Sequence, residues 1–410
     1  MRSLVLVALV ACSAAADPAR PLSPPDPPRR DPNLKPEPGV APASPELRVK
    51  NLVDRYRAAV GLPAVTLDPV LSKGCMEHAE YMRLNKDGEA MRGLNAHQQR
   101  PSLPGATPEG AKCGKAADLF PGVSDLEVAV DGWMAGLYHR RPILDPTLAK
   151  IGVGYSKLPD GSYMAALMFV DGKDNASADK WPVAYPADKQ GDIPLDFGNE
   201  VPNPVPGGGR AGYPITIQFP AFDKVTGVTA KLDMVAAGSG GGAGAGKPVP
   251  FHLSDPEHPA TSFGQYGVVC LIPKLPLQPR TTYRASVTAT WKGTTKTHSW
   301  AFTTLSLRAV DAHDEAAVVK SLNIASTLKG TVLHGGMMDS DTAFLQIGER
   351  QLKNYKMISV LIPLATWREL GGKPERFVGK TIEVDGTPHL VQGVYINVQI
   401  TVASQLRIVR

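Results

Sequence analysis

Past its first few residues, this 410-residue chain has no run approaching the ~18 uninterrupted apolar residues that a membrane helix needs. Charge of one sign is scarce too: 44 Lys and Arg stand against 39 Asp and Glu, a net +5, without a dense basic cluster. That balance gives no electrostatic footprint for nucleic acid. Aromatic residues make up only 6% of the chain and are scattered, so no stacking platform for single strands is visible either. The patterns His-Glu-x-x-His, Cys-x-x-Cys and Gly-x-Ser-x-Gly do not occur. Cysteines number four. Beyond Cys12 they are Cys75, Cys113 and Cys270, an odd count that leaves at least one thiol unpaired. Cys75 and Cys113 fall within one expected domain, and the sequence leaves open whether they bond or stay buried as thiols.

Proline and glycine, by contrast, are abundant and mark the organisation. Arg2 followed by the apolar run Leu4–Ala11 reads as the start of an export leader. Leu9-Val10-Ala11-Cys12 looks like a bacterial lipobox, with Cys12 as the lipidated residue; cleavage after Ala14-Ala15-Ala16 is the alternative. The expected product is an exported protein, either a cell-envelope lipoprotein held to the membrane by its lipid or a secreted one. Eleven prolines in residues 17–47 with few large apolar side chains predict an extended spacer. The expected layout is a leader over 1–16, a spacer over 17–44 and a first domain over 45–175. A connector over 176–210, a β-sandwich over 211–305 and a small β-barrel over 306–410 follow. The fold class is thus multidomain α+β.

In the first domain, Ser44-Pro45 and Asp68-Pro69 are helix starts, with Leu52, Val53, Tyr56 and Val60 on one apolar face and Leu71, Cys75, Ala79 and Met82 on the next. A long loop is expected over 87–123. Ser124-Asp-Leu-Glu127 reads as a capping box for a third helix bearing Val130 and Trp133. Strands are expected at Ile151–Tyr155 and Tyr163–Val170 around Pro159-Asp160-Gly161. Residues 211–305 show alternation at Ile215, Ile217, Phe219 and at Tyr283, Ala285, Val287, interrupted by a Gly-rich insert, 238–246. The last unit reads as five strands with a short helix at 365–370.

The stretch 48–171 resembles the CAP superfamily of cysteine-rich secretory, antigen 5 and pathogenesis-related proteins. The resemblance is carried by Asn51-x-x-Asp-Arg55, Leu67-Asp68-Pro69, His97, Pro108-Glu109-Gly110, Trp133, His139-Arg140 and Ile151-Gly-Val-Gly-Tyr155. It implies an α-β-α sandwich whose cleft gathers two histidines and two acids, sometimes around a divalent metal. His97 and His139 match the histidines and Glu109 matches one acid. The other acid belongs about a turn after Trp133, where this chain has Gly136 and Leu137. The middle unit resembles bacterial surface Ig-like domains through Leu277-x-Pro279-x-Thr-Thr-Tyr283 and Trp300-x-Phe-Thr-Thr304. The last resembles OB-fold barrels through Val378–Val384, Asp385-Gly386 and Gln405–Val409.

His97, Glu109 and His139 are the candidate metal ligands, for zinc or a similar ion, and the candidate catalytic residues; no nucleophile accompanies them. His78 reads as a hydrogen-bonded helical residue, Trp133 as core, and Arg140-Arg141 as a solvated turn with a surface salt bridge. Gly241-x-x-x-x-Gly246-Lys247 mimics a phosphate-binding loop, but Pro248 stands where Ser or Thr must bind magnesium. Asn175-Ala-Ser177 is a chance glycosylation sequon for a bacterial envelope protein. The expected function is an envelope binding module for a cell-wall component, a lipid or an envelope protein. The alternatives are a metal-assisted hydrolase of peptides or cell-wall glycans and a structural surface protein with a vestigial cleft.

Overall fold

A computed structural model describes residues 43–171, 178–197, 200–209, 211–235, 246–263, 265–322, 324–349, 353–354, 357–391, 394–400 and 402–409. Cys12, the Asn175 sequon and most of the Gly-rich insert lie outside the described residues. Among the described residues, no helix is long and apolar enough to cross a membrane.

The first unit starts where the caps predict. Helix α1 (Pro45–Ala59) is capped by Ser44 and helix α2 (Pro69–Leu84) by Asp68, whose carboxylate accepts from Val70 and Leu71 N–H groups. Strand β1 (Thr66–Leu67) lies between them. The expected loop over 87–123 is more ordered than that: it contains helix α3 (Pro108–Ala116), capped by Thr107, and strand β2 (Ala117–Val123). Thr107-Pro108 is itself a helix-start pair, and its neighbouring prolines and glycines mask it. Helix α4 (Leu126–Met134) is capped by Asp125, one residue later than the Ser124 box expected. The short helix α5 (Arg140–Ile143) and strands β3 (Leu148–Lys157) and β4 (Tyr163–Asp171) complete the unit.

The sheet order is β1-β3-β4-β2, with β1 parallel to β3 and the other pairs antiparallel. Alternation along β4 sends Ala165 and Leu167 toward α1 and α4, and Met164 and Ala166 toward α2 and α3. Helices therefore cover both faces. The Ile151-Gly-Val-Gly-Tyr155 motif has a steric cause. A Cβ on Gly152 would sit 2.5 Å from the Leu71 backbone, and one on Gly154 would sit 2.0 Å from that of Cys75. Two bare positions let α2 lie directly on β3. Cys75 of α2 and Cys113 of α3 form a disulfide, closing the alternative the sequence left open, and Cys270 is buried and free.

The middle unit is two four-stranded sheets. One runs Lys247–Pro248, Val225–Met234, Thr282–Trp291, Thr294–Thr303; the other runs Phe251–Ser254, Val268–Pro273, Ile215–Gln218, Val183–Tyr185. Strand Val183–Tyr185 comes from the expected connector, which thus contributes to the sandwich. Lys247-Pro248 of the phosphate-loop look-alike is a strand paired with Asp233–Met234, with no helix after it. Ile215–Gln218 and Val268–Pro273 are buried along their whole length. One face of this sheet meets the other sheet, while Val268, Cys270 and Ile272 pack on Leu137 and Tyr138 of the first unit. Strands buried on both faces read as continuous apolar runs, as Val-Val-Cys-Leu-Ile does.

The last unit departs from a closed five-stranded barrel. Its eight-stranded sheet turns around the long strand Ser326–Met337, which pairs with Thr381–Gly386 over Ser326–Thr331 and with Thr342–Ile347 from Val332 on, bulging between Val332 and His334. Strands Pro388–Val391 and Leu406–Ile408 end the hydrogen-bonded path without meeting, so among the described residues the sheet stays open. The short helix is observed at Leu364–Glu369. Arg280 of the sandwich lies 3.7 and 3.6 Å from Glu383 and Asp385, tying the sandwich to this unit, and Arg407 of the same unit holds Asp385 at 2.5 Å.

Candidate functional site

The first unit gathers a file of histidines and buried acids. His97 ends a 3-10 turn (Gly93–His97) and its Nδ1 lies 2.9 Å from the Gly114 carbonyl. A Cβ on Gly114 would be 2.4 Å from the ring of His78, so α3 leans directly on that imidazole. His78 is fully buried; its Nδ1 is 3.1 Å from Gln99 Nε2, and its Nε2 has no hydrogen-bond partner. Burial, reinforced by His97, pushes His78 down to about 4. Burial also lowers His97, with His139 adding to the effect. The three imidazoles share one electrostatic neighbourhood.

His139 precedes α5, and its Nδ1–H donates to Glu200 Oε2 at 2.8 Å. Glu200 comes from the connector, far along the chain. Its two carboxylate oxygens also accept the Leu137 and Tyr138 backbone N–H groups, at 2.6 and 3.2 Å. The Glu200 side chain is 5% exposed, so this anion is almost wholly removed from water and held by three donors. A Cβ on Gly136 would lie 2.5 Å from Glu200 Oε2. Asp118 of β2 is the second buried acid, and its Oδ2 has no partner. Burial raises Asp118 to about 7 against the opposing pull of His139. Burial works to lower His139, yet Asp118 and Glu200 outweigh it and hold the imidazole well above its usual range.

The sequence model of the cysteine-rich secretory protein family, CAP, matches residues 50–170. Residues 50–170 form a CAP domain. An extracellular protein containing an SCP domain from Bacillus anthracis is 18% identical over 32% of this chain and 45% of its own, with a TM-score of 0.23. An outer surface protein from Borrelia burgdorferi is 18% identical over 32% of this chain and 97% of its own, with a TM-score of 0.24. Venom allergen-like protein 4 from Schistosoma mansoni is 12% identical over 33% of this chain and 92% of its own, with a TM-score of 0.21. The chain thus spans under half the length of the first of these. No curated protein matches it.

Within the CAP domain the expected residues part company. His139 helps to lower His97, while Glu109 is engaged elsewhere. It occupies the first turn of α3, half-exposed, with its carboxylate 3.6 Å from Lys112 on the next turn. A carboxylate at the second residue of a helix is stabilised where it stands by the N-terminal dipole. Among the described residues, no three His, Cys, Asp or Glu side chains are arranged to hold one metal ion.

Trp133 is core, as expected, and its Nε1 donates to the Leu119 carbonyl at 3.3 Å. Arg140 overturns the reading of a solvated turn. It is 1% exposed, donates to the carbonyls of Met134 and Pro214 at 2.6 and 2.7 Å, and lies over the rings of Tyr185 and Tyr213. It joins the CAP domain to the sandwich. Arg141 stacks on Tyr266, 4.2 Å from the ring centre. Sequence reasoning missed Asp118 and Glu200. Asp118 stands inside the apolar run Ala116-Ala-Asp-Leu-Phe120, a sign of a buried acid once that run is read as a strand. For Glu200, a single acid in a proline-rich connector, no local signal exists.

Proposed function

We propose that this is an exported CAP-domain protein of the cell envelope, acting as a binding module for a cell-wall component, a lipid or an envelope protein. The observation that carries this reading is the capture of Glu200. The acid nearest His139 is spent on two backbone N–H groups and the imidazole, an arrangement suited to holding a partner group. A general base would instead keep its lone pairs free for a substrate. The sandwich and the last unit then serve as further contact surfaces, with the sandwich closest to an Ig-like domain. The domain's extracellular and surface relatives support export, and Cys12 is the proposed lipidation site. Pull-down of the full chain by purified cell-wall sacculi, membrane vesicles and envelope protein tests the reading; retention by none of the three refutes it. Mass spectrometry of the mature N-terminus tests the anchor: a diacylated Cys12 is expected, and an unmodified Asp17 terminus excludes it.

The second reading is metal-assisted hydrolysis of peptides or cell-wall glycans. Asp118 favours it, since a buried carboxyl poised near neutrality beside His139 has the character of a general acid. A divalent ion, when bound, would supply an activated water, and His97 and His139 would hold it. Calorimetric zinc titration of the full chain, with His97→Ala and His139→Ala, separates the readings. Zinc binding lost in both variants, with cell-wall turnover, would replace the binding module by the hydrolase.

A further inference from the structure

The recess bounded by Gly136, Leu137, Tyr138 and His139 has the chemistry of a carboxylate receptor. Two adjacent backbone N–H groups and one imidazole N–H converge on a single carboxylate. Gly136 leaves the space that the oxygen fills. The group that fills it is a side chain from outside the CAP domain. The next residue, Val201, is half-exposed and reaches the turn at Gly93, where its Cγ1 would lie 3.9 Å from a Cβ on that glycine. The recess thus already accepts a glutamate carboxylate, with the following valine seated beside the Gly93 turn.

We propose that this recess is a binding site for an acidic peptide segment, and that Glu200 is its intramolecular occupant, holding the site closed until a competing carboxylate displaces it. The inference rests on reading the CAP cleft as a binding site and names the ligand class for it. A tethered group acts at an effective concentration on the order of millimolar, so a free monocarboxylate does not displace Glu200 from the intact protein. A peptide does so only by adding contacts along the strip that Val201 now covers. Removing the Glu200 carboxylate exposes the receptor to simple probes.

The test uses the full chain with Glu200→Ala, titrated with sodium acetate against sodium chloride at equal ionic strength. Acetate should raise the melting temperature saturably, by roughly 3–6 °C at tenfold over its Kd, and leave the wild type no more stable than chloride does. The capped tripeptide Asn-Glu-Val should act at concentrations at least tenfold lower than acetate, and Asn-Gln-Val should not act. Equal responses to acetate and chloride overturn the receptor. A tripeptide no better than acetate overturns the peptide ligand and leaves a simple anion site. If Glu200→Ala folds poorly, two measurements decide instead. Acetate added during refolding should raise the folded yield above that in chloride. Gly136→Glu combined with Glu200→Ala should restore the melting temperature by delivering a carboxylate from the near side. Failure of both sinks the proposal. None of these outcomes depends on capture by cell walls, so the receptor and the binding-module reading fail separately.

Discussion

Arg140 is the residue whose replacement tells most about how the molecule is held together. Its guanidinium is buried between the CAP domain and the sandwich, donating to two carbonyls and to Thr216 Oγ1 at 3.2 Å, with Tyr185 and Tyr213 at 4.7 and 4.9 Å from its carbon. Hydrogen bonds from a charged donor contribute about 1.5–3 kcal/mol each, and a desolvated cation–π contact about 2 kcal/mol. Against this stands the cost of burying an ion, several kcal/mol. Arg140→Ala removes the favourable contacts, leaves the Met134 and Pro214 carbonyls short of a donor and opens a cavity. The expected loss is roughly 3–5 kcal/mol. Arg140→Met fills most of the space and also removes the ionic cost, so it should lose about half as much. Because the seam joins two cores, scanning calorimetry of the wild type should show the two units melting together. Arg140→Ala should split or broaden that transition and lower its first midpoint by on the order of 10 °C. A midpoint unchanged within about 1 °C, with the transition still single, would refute the claim that Arg140 clamps the seam.

Three further outcomes follow from particular contacts. The Cys75–Cys113 bond closes a 38-residue separation, so Cys75→Ala with Cys113→Ala should cost about 4 kcal/mol by denaturant unfolding, and a loss under about 1 kcal/mol would contradict the chain-entropy argument. Gly154→Ala drives a methyl into the Cys75 backbone and should cost about 3 kcal/mol or more. Gly161→Ala, at φ +90° with open space around it, should cost only about 1 kcal/mol; equal losses would refute the steric account of the motif. His78 is held down to about 4 by burial and His97, so the unfolded chain takes up its proton first as pH falls. The stability that neutral His78 secures is complete above 6.5 and lost between 6.5 and about 4, about 3 kcal/mol at 1.36 kcal/mol per pH unit. The stability difference between wild type and His78→Gln should fall by that amount across the window, and a flat difference would sink the argument.

What was legible in the sequence divides by distance along the chain. Ser44-Pro45 and Asp68-Pro69 start helices because caps act over three or four residues. Ile151-Gly-Val-Gly-Tyr155 marks a strand, and its glycines announce a close neighbour without naming α2. Helix α3 was hidden because its apolar content is slight and its stabiliser is a disulfide to α2. The last unit shows the limit of counting strands. The bulge between Val332 and His334 lets one strand serve two directions, and pairing across such a bend is set by partners that no local pattern identifies.

The candidate site marks the same boundary more sharply. Gly136 reads in isolation as a lost acid, the place where a carboxylate should follow Trp133. The structure puts a carboxylate there after all, but Glu200 brings it from 64 positions along the chain, and its oxygen fills the volume a side chain at 136 would take. The bare position and the distant acid are one solution to one requirement, a negative charge against His139 and the 137–138 amides. Once the acid comes from the connector, closing the cleft also pulls the connector onto the CAP domain. With the connector held, Val183–Tyr185 enters the structure from a fixed point, and the sheet it edges meets Leu137, Tyr138 and Arg140. A glutamate at 136 could supply the charge without this docking. The position of the acid in the chain, rather than its presence, therefore adds the connector to the seam that Arg140, Leu137 and Tyr138 form with the sandwich.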